Sequence, residues 1–512
     1  MRSLYGVISL FLLCVAMPGC KPERDESYER DVVKGLKAVL PAPFHIGRQA
    51  SADMIEWKVV YDDTVTPGTV TNSFAAYDDT SRIITFRGSQ SRDMPFSGHI
   101  DSIPTSIVVD WVYQTNAGTD HELAGGSKMH WYGGSGWTGQ PSIVSWEPEQ
   151  QEIVVGSLDG NIYALDASTG RRSRAPFDTK NPIKGSISLD PTYPGIVYAG
   201  QGIRHTAASG VRAVNMLDST LLSFHTRDDK YALRRWGYAD GSPAIIDSFL
   251  FWPAENGIIY KYVRTAQGLR PHSKLIYKVR DNKNLGIESS IAVYKTYGFI
   301  ADNGGSIICF DLSTLQPLWY MANGDDTDAS PVISIEQDVP YLYVGCEVDK
   351  QSNPGTAFMR KLDARTGSIV WTDSVRCWSY TDGLRILNGG MLSTPLIGRG
   401  KQKDLVVAAF CRDRPGQGGV LIAYDKTTGQ RRYSVSMPSY TWSSPIAYYT
   451  QDEHLYICIG DVNGYISFID GENGNVLIRQ RIGSNFEASP IPLGSSLFIA
   501  SRGRNVYRCS LR

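Results

Sequence analysis

Eight times along the chain a small residue is followed by a short polar one and then by Pro or Ile. The instances are Gly139-Gln140-Pro141, Gly185-Ser186-Ile187, Gly241-Ser242-Pro243, Ser289-Ser290-Ile291, Ala329-Ser330-Pro331, Ser393-Thr394-Pro395, Ser443-Ser444-Pro445 and Ala488-Ser489-Pro490. The residues just before the small ones are Thr138, Lys184, Asp240, Glu288, Asp328, Leu392, Trp442 and Glu487. If the fold brings these equivalent positions together, the carboxylates among them focus negative potential and attract a cation or a basic segment. Carboxylate oxygens also suit hard metals such as calcium. A solvated rim, whose charges pair with neighbouring Arg and Lys, would leave the same pattern. Trp137, Trp378, Tyr380, Tyr440 and Phe486 lie close by in sequence. They are candidates for an aromatic binding platform, or equally for packing between strands. Asp325-Asp326-Thr327-Asp328 is rich in oxygen ligands but lacks the spacing and terminal Glu of an EF-hand loop. No metal or cofactor is expected.

Motifs for covalent or phosphoryl chemistry are missing. There is no Gly-x-Ser-x-Gly elbow, no Walker loop, no His-Glu-x-x-His and no Cys-x-x-Cys-His haem attachment sequence. The 8 His are scattered. With 51 Lys+Arg against 52 Asp+Glu, the chain lacks the positive excess of a nonspecific nucleic-acid binder. Cys309, Cys346, Cys377, Cys411, Cys458 and Cys509 fall mostly in apolar runs, which suits small buried side chains. A Cys346–Cys411 bridge requires neighbouring strands to bring them within disulfide reach.

The elements that would position the acidic set follow from the repeat. From Pro141 to Pro490 the chain advances 349 residues over seven intervals, about 50 per repeat. Each instance leads into an apolar run, a second such as Ile153-Val154-Val155-Gly156, and a third after a glycine turn, such as Ile162-Tyr163-Ala164-Leu165-Asp166. Thr169-Gly170, Thr428-Gly429 and Asn473-Gly474 close the turns that follow, and a fourth run often carries Trp, as in Trp319 and Trp371. Four short strands per repeat of this length predict an all-β, eight-bladed β-propeller over residues 107–512. The last repeat stops after its third strand at Val506-Tyr507-Arg508-Cys509. The Trp-bearing run Ile107–Tyr113 upstream of the first repeat is expected to supply the missing fourth strand and close the ring.

Upstream, Leu4–Val15 is apolar but too short to span a bilayer and reads as a secretory signal over residues 1–19. Met17-Pro18-Gly19-Cys20 resembles a bacterial lipobox, with Gly19 in its usual place and Met17 and Pro18 departing from the common pattern. The resemblance implies lipidation at Cys20. Residues 20–50 then read as the lipidated Cys and a charged tether. Residues 51–106 read as an extension packed on the propeller, with expected strands at Trp57–Tyr61 and Ile83–Arg87.

The Asp-x-x-x-Gly turn after the third strand resembles the PQQ-like repeat, shared by quinoprotein dehydrogenases and BamB-type outer-membrane assembly lipoproteins. What the resemblance implies is a lipid-anchored bacterial outer-membrane protein, facing the periplasm or the cell surface. It would be a monomer without catalysis or nucleic-acid binding, and a scaffold for envelope proteins. The alternative is a surface-exposed binder of glycans or small ligands. Quinoprotein activity is the weaker implication, since the adjacent Cys pair common beside the quinone in that family is missing.

Overall fold

The computed structural model describes residues 44–512 apart from positions 63–67, 72–76, 78–80, 119, 123–127, 131–132, 137, 201–207, 235–237, 281, 383–384 and 417. The signal sequence, Cys20, the tether as far as residue 43 and Trp137 lie outside the described residues.

Alternating apolar residues between glycine turns produce antiparallel sheets that follow one another along the chain. Each expected repeat is one blade, counted from the axis outward. The first blade is Ser142–Glu147, Gln150–Gly156, Asn161–Asp166 and Phe177–Asp178. The fifth is Val332–Glu336, Val339–Gly345, Gly355–Asp363 and Ile369–Cys377. The eighth takes three strands from the C-terminus, Ile491–Leu493, Ser496–Ala500 and Asn505–Leu511. Its outer strand is Ile107–Gln114, in register from Ile107 against Leu511 to Gln114 against Asn505. The protein is thus an eight-bladed propeller closed by an upstream strand, and the closure leaves no open edge where the chain ends meet.

Two repeated features explain the sequence pattern. First, the aromatic of one outer strand lies on the turn glycine of the next blade. A Cβ at Gly170 would stand 2.5 Å from the Trp111 ring, and one at Gly429 2.6 Å from that of Trp371. The same indoles donate to Ala167 O at 3.1 Å and Lys426 O at 2.9 Å, and Trp319 donates to Ala364 O at 3.0 Å. The turn Asp holds the loop in place by accepting main-chain N–H groups, as Asp166 does from Thr169 at 2.7 Å. Second, the Ser of the small-Ser-Pro motif links blades around the axis. Ser242 N–H donates to Ser290 Oγ, Ser290 N–H to Ser330 Oγ, Thr394 N–H to Ser444 Oγ and Ser444 N–H to Ser489 Oγ, at 2.9–3.0 Å. The preceding residue is small because the next blade's backbone is against it: a Cβ at Gly185 would lie 1.9 Å from Asp240 O.

The segment ahead of the ring divides its work. Ile55–Tyr61 pairs antiparallel with Gly268–Val279 as a fifth, outermost strand of the third blade. Ile83–Arg87, expected as a strand, is not one. Only Ile83 makes a ladder contact, a bridge to Ile143, and the chain then turns with positive φ at Arg87, Gly88, Arg92 and Met94. The reason is geometric. Residues 83–100 circle the channel and meet the inner strands in blade order, so no single straight partner exists. Leu189 N–H donates to Ile84 O, Gln90 Nε2 reaches Ile245 O, Val293 N–H donates to Gln90 O and Ile333 N–H to Ser91 O. Arg399 Nη1 then reaches Met94 O, Gly98 pairs with Tyr448, and His99 N–H donates to Gly494 O. Arg87 and Arg92 are fully buried in this plug. Arg92 bonds to Ile291 O and Phe86 O at 2.9 Å and to Pro243 O at 3.3 Å, while Arg87 reaches Pro445 O at 2.8 Å. Charged guanidinium groups are tolerated there because main-chain carbonyls satisfy them.

Candidate functional site

The plug occupies the end of the channel toward which the inner strands run. The residues before the small-Ser-Pro motif stand at the other end, where those strands begin. There Lys184, Asp240 and Glu288 are brought together from three consecutive blades. Lys184 Nζ pairs with Asp240 and lies 2.8 Å from Glu288 Oε2. Asn303 Nδ2 donates to Glu288 Oε1 at 3.1 Å. Glu255, which was not anticipated, completes this group: it follows the second strand of the third blade, Phe249–Ala254, and is wholly buried. Neither Glu255 carboxylate oxygen has a hydrogen-bond donor within the described residues. The ligand oxygens of Asp240, Glu255 and Glu288 all lie within 4.8 Å of one another.

A second triad adjoins it. Asp326, Asp328 and Glu347 also place their oxygens within 4.8 Å of one another. Lys350 Nζ meets Asp326 Oδ2 at 2.5 Å, Asp328 N–H donates to Glu347 Oε1 at 3.3 Å, and Asn388 Nδ2 donates to Glu347 Oε2 at 2.9 Å. Asp325 belongs to the turn instead. Its carboxylate accepts the main-chain N–H of Asp326, Asp349 and Lys350 at 2.8–3.1 Å. Thus the Asp325–Asp328 cluster splits, with one acid for structure and two for the well. Glu255 directly follows Ala254 at the end of its second strand, whereas Glu347 comes two residues after Gly345, so no shared repeat position announced the pair.

The electrostatics are unbalanced. Among the described residues, two carboxylate triads face Lys184, Lys350 and Arg234. Burial pushes Asp240 up to about 6, with Lys184 opposing and Glu288 adding to the rise. Burial pushes Asp326 up to about 7 against the pull of Lys350. Glu255, Asp328 and Glu347 are raised well above the usual carboxylate range, by burial first and then by their acidic neighbours. Glu288 alone moves down. Burial works against that, but the Lys184 ammonium and the bonds from Lys184 and Asn303 outweigh it.

The other anticipated positions do not join the well. Glu487 is buried and bonded to Arg502 Nη1 at 3.0 Å. Trp442 is 8% exposed and packs with Leu392, Cys411 and Tyr440, its ring 5.2 Å from that of Tyr440. Arg412 lies over Tyr440 at 4.4 Å, and its carbonyl accepts the main-chain N–H of Trp378 at 3.0 Å. Tyr380 is 49% exposed. Phe486 corrects the expectation of a common platform. It is completely buried in the core beside Tyr507, with Gly460 against its Cβ and Gly483 leaving space for its ring. All six described cysteines are free and buried, so Cys346 and Cys411 are not bridged. Burial raises their thiols to about 11 and about 12, which makes them poor nucleophiles.

The repeat turn, the aromatic-on-glycine contact and the eight four-stranded blades decide the fold. It is an eight-bladed β-propeller, similar in fold to solved PQQ-dependent dehydrogenases. A europium-containing methanol dehydrogenase superposes with a TM-score of 0.61 at 11% identity, over 85% of this chain and 99% of that one. A quinohemoprotein alcohol dehydrogenase from Pseudomonas putida HK5 does so with 0.59 at 12% identity, over 87% and 83%. BamB from Moraxella catarrhalis gives 0.49 at 13% identity, over 80% and 98%. No family model and no curated protein matches the sequence. At these identities the likeness is one of fold. Among the described residues no helix is long and apolar enough to cross a membrane.

Proposed function

We propose that this PQQ-like propeller is a non-catalytic, lipid-anchored scaffold of the bacterial envelope, which docks a basic segment of a partner protein in the carboxylate well. One observation carries the reading: six carboxyl groups face three cations, and burial raises five of the six, so the unliganded well holds protons that a docked cation would displace. The plug closes the other end of the channel, so a docked segment enters and leaves by one face. Anchoring through Cys20, and a place in outer-membrane protein assembly, extend the reading on the strength of the lipobox and BamB-type resemblances. The quinone of the dehydrogenase relatives is a tricarboxylate. By itself it does not suit these residues, which would set carboxylates against carboxylates, with Lys184 and Lys350 already engaged.

The test is crosslinking in intact cells with a defined basic probe alongside. Wild type should bind a Lys/Arg-rich peptide with affinity that falls steeply with salt, and should crosslink to envelope proteins. A Glu255→Gln/Asp328→Asn variant should lose both. Equal peptide binding by wild type and variant would remove the well from the function. Labelled palmitate should enter wild type and not Cys20→Ala. A second reading has its own support in the donorless Glu255 oxygens: a hard metal ion in the Asp240/Glu255/Glu288 triad. Terbium luminescence competed by calcium, and lost in Glu255→Gln, would favour it over the peptide. A surface glycan ligand is the remaining alternative; it predicts saccharide binding lost in Trp442→Ala.

A further inference from the structure

In six blades the turn after the third strand buries the residue that follows its Asp or Asn. Ala167, Met216, Leu312 and Ala364 hold this place in four blades, each at most 4% exposed, and Gly471 holds it in the seventh. In the sixth blade it is Lys426, and it is only 7% exposed. The main chain of Lys426 does what the turn requires. Its N–H donates to Asp404 O at 2.8 Å, and its carbonyl accepts the Trp371 indole and the Lys361 ammonium, both at 2.9 Å. Among the described residues its own ammonium makes no hydrogen bond and no ion pair. The fold is satisfied by an alanine or a leucine here, so blade packing does not account for the lysine.

The side chain lines a pocket of about 530 Å³ with Ile335, Glu336, Tyr341, Lys361, Lys403 and Asp404. Of the two carboxylates in the wall, Glu336 is already used, accepting Lys361 Nζ and Tyr343 Oη, each at 2.6 Å, while Asp404 stands at the exposed rim. Glu336 and Asp404 attract the Lys426 ammonium, while Arg399 and Lys361 repel it. Burial is the largest influence and draws its pKa down to about 8. The stem of Lys426 is buried and its ammonium opens only into this pocket, where water is the ligand it has; an oxyanion there would supply a charged acceptor in partly desolvated surroundings.

We propose that this pocket is an anion site, in which Lys426 donates to a small oxyanion, the phosphate or carboxylate group of a ligand, with Lys403 at the exposed rim. The site is independent of the carboxylate well, and either can fail without the other. Calorimetric titration of the mature chain with inorganic phosphate and with acetate, against sodium chloride at matched ionic strength, tests it. Wild type should give saturable binding of at least one anion and a higher melting temperature in its presence. Phosphate alone would identify a phosphoryl ligand, and acetate alone a carboxylate. Lys426→Met restores the apolar residue usual at this turn. It should fold with an unchanged or higher melting temperature and lose the binding at least tenfold, and Lys403→Ala should weaken it severalfold. Absence of saturable binding of both anions, or equal binding by wild type and Lys426→Met, would overturn the proposal.

Discussion

Trp371 and Lys426 sit in neighbouring blades, and the indole N–H of the first donates to the main-chain carbonyl of the second across 2.9 Å. The same ring lies on Gly429, three residues further along the turn, where φ is +73° and any Cβ would strike the indole. One aromatic thus reads both the shape and the hydrogen-bonding capacity of the next blade's turn. Trp319 with Ala364 and Gly367 repeats the arrangement, and Trp111 on the closing strand applies it to the first blade.

Removing that reader should loosen the ring. Trp319→Ala deletes a fully buried indole and should destabilise by about 3–5 kcal/mol. Trp319→Phe keeps most of the packing and leaves the Ala364 carbonyl without its donor, for about 1–2 kcal/mol. Urea midpoints measure both. Similar losses for the two variants would mean that the hydrogen bond, and not the packing, joins the blades.

The plug depends on its arginines. Arg92→Met should leave the carbonyls of Ile291, Phe86 and Pro243 short of a donor, at about 1–3 kcal/mol for the buried groups left unpaired. Limited proteolysis read by mass spectrometry should show new cuts within residues 83–100. A digestion pattern identical to wild type would show that the segment holds its place without the guanidinium.

Charge in the well should work against the unliganded fold. Glu255→Gln removes a buried carboxylate that lacks donors and should raise stability by about 1–3 kcal/mol. Lys184→Met strips the cation from Asp240 and Glu288 and should lower it by about 3–5 kcal/mol. Thermal melts in chelated buffer compare them. A destabilised Glu255→Gln would mean that the charged form already has a partner.

The pH dependence follows from the direction of the shifts. Asp240 and Asp302 are raised to about 6 and Asp326 to about 7, in each case chiefly by burial. Such a group binds its proton more tightly folded than unfolded. Its stabilising contribution is complete below its ordinary value near about 4, and is lost as pH rises through the folded value. Unliganded protein should therefore lose stability between about pH 4 and pH 8. Cation binding at the well should strengthen over the same range as Asp240 and Asp326 ionise. Asp302 lies outside the two triads and bonds to Tyr277 Oη and Ser306 N–H, so Asp302→Asn should flatten part of the stability slope and leave ligand binding alone. Urea midpoints at pH 5 and pH 8, with and without the basic peptide, separate the two effects.

Closure should be all or none. Truncation after Arg504 removes the strand Asn505–Leu511, and with it the whole register of Ile107–Gln114. The truncated chain should lose its cooperative unfolding transition and self-associate through the exposed edges. A monomeric, cooperatively melting product would show that seven blades close without the eighth.

Periodicity made the ring legible. The spacing of small-Ser-Pro motifs, the turn glycines, the outer-strand tryptophans and the missing last strand each report a local requirement repeated along the chain, and local requirements survive in sequence. Asp240, Glu288 and Asp328 were visible for the same reason, as equivalent positions in successive repeats. Glu255 and Glu347 were not, because each enters the well from a turn that carries different residues in other blades. Glu487 shared the repeat position and still left the group, because Arg502 lies beside it. The course of residues 83–100 was beyond reach as well. It is set by eight inner strands that are distant in sequence and meet only around the closed axis. The sequence by itself determined the blade, its turns and the closure, since these depend on neighbours along the chain. The tertiary structure alone decided which charges are paired, which remain in excess, and which end of the channel the plug fills, since those depend on distance and burial across the ring.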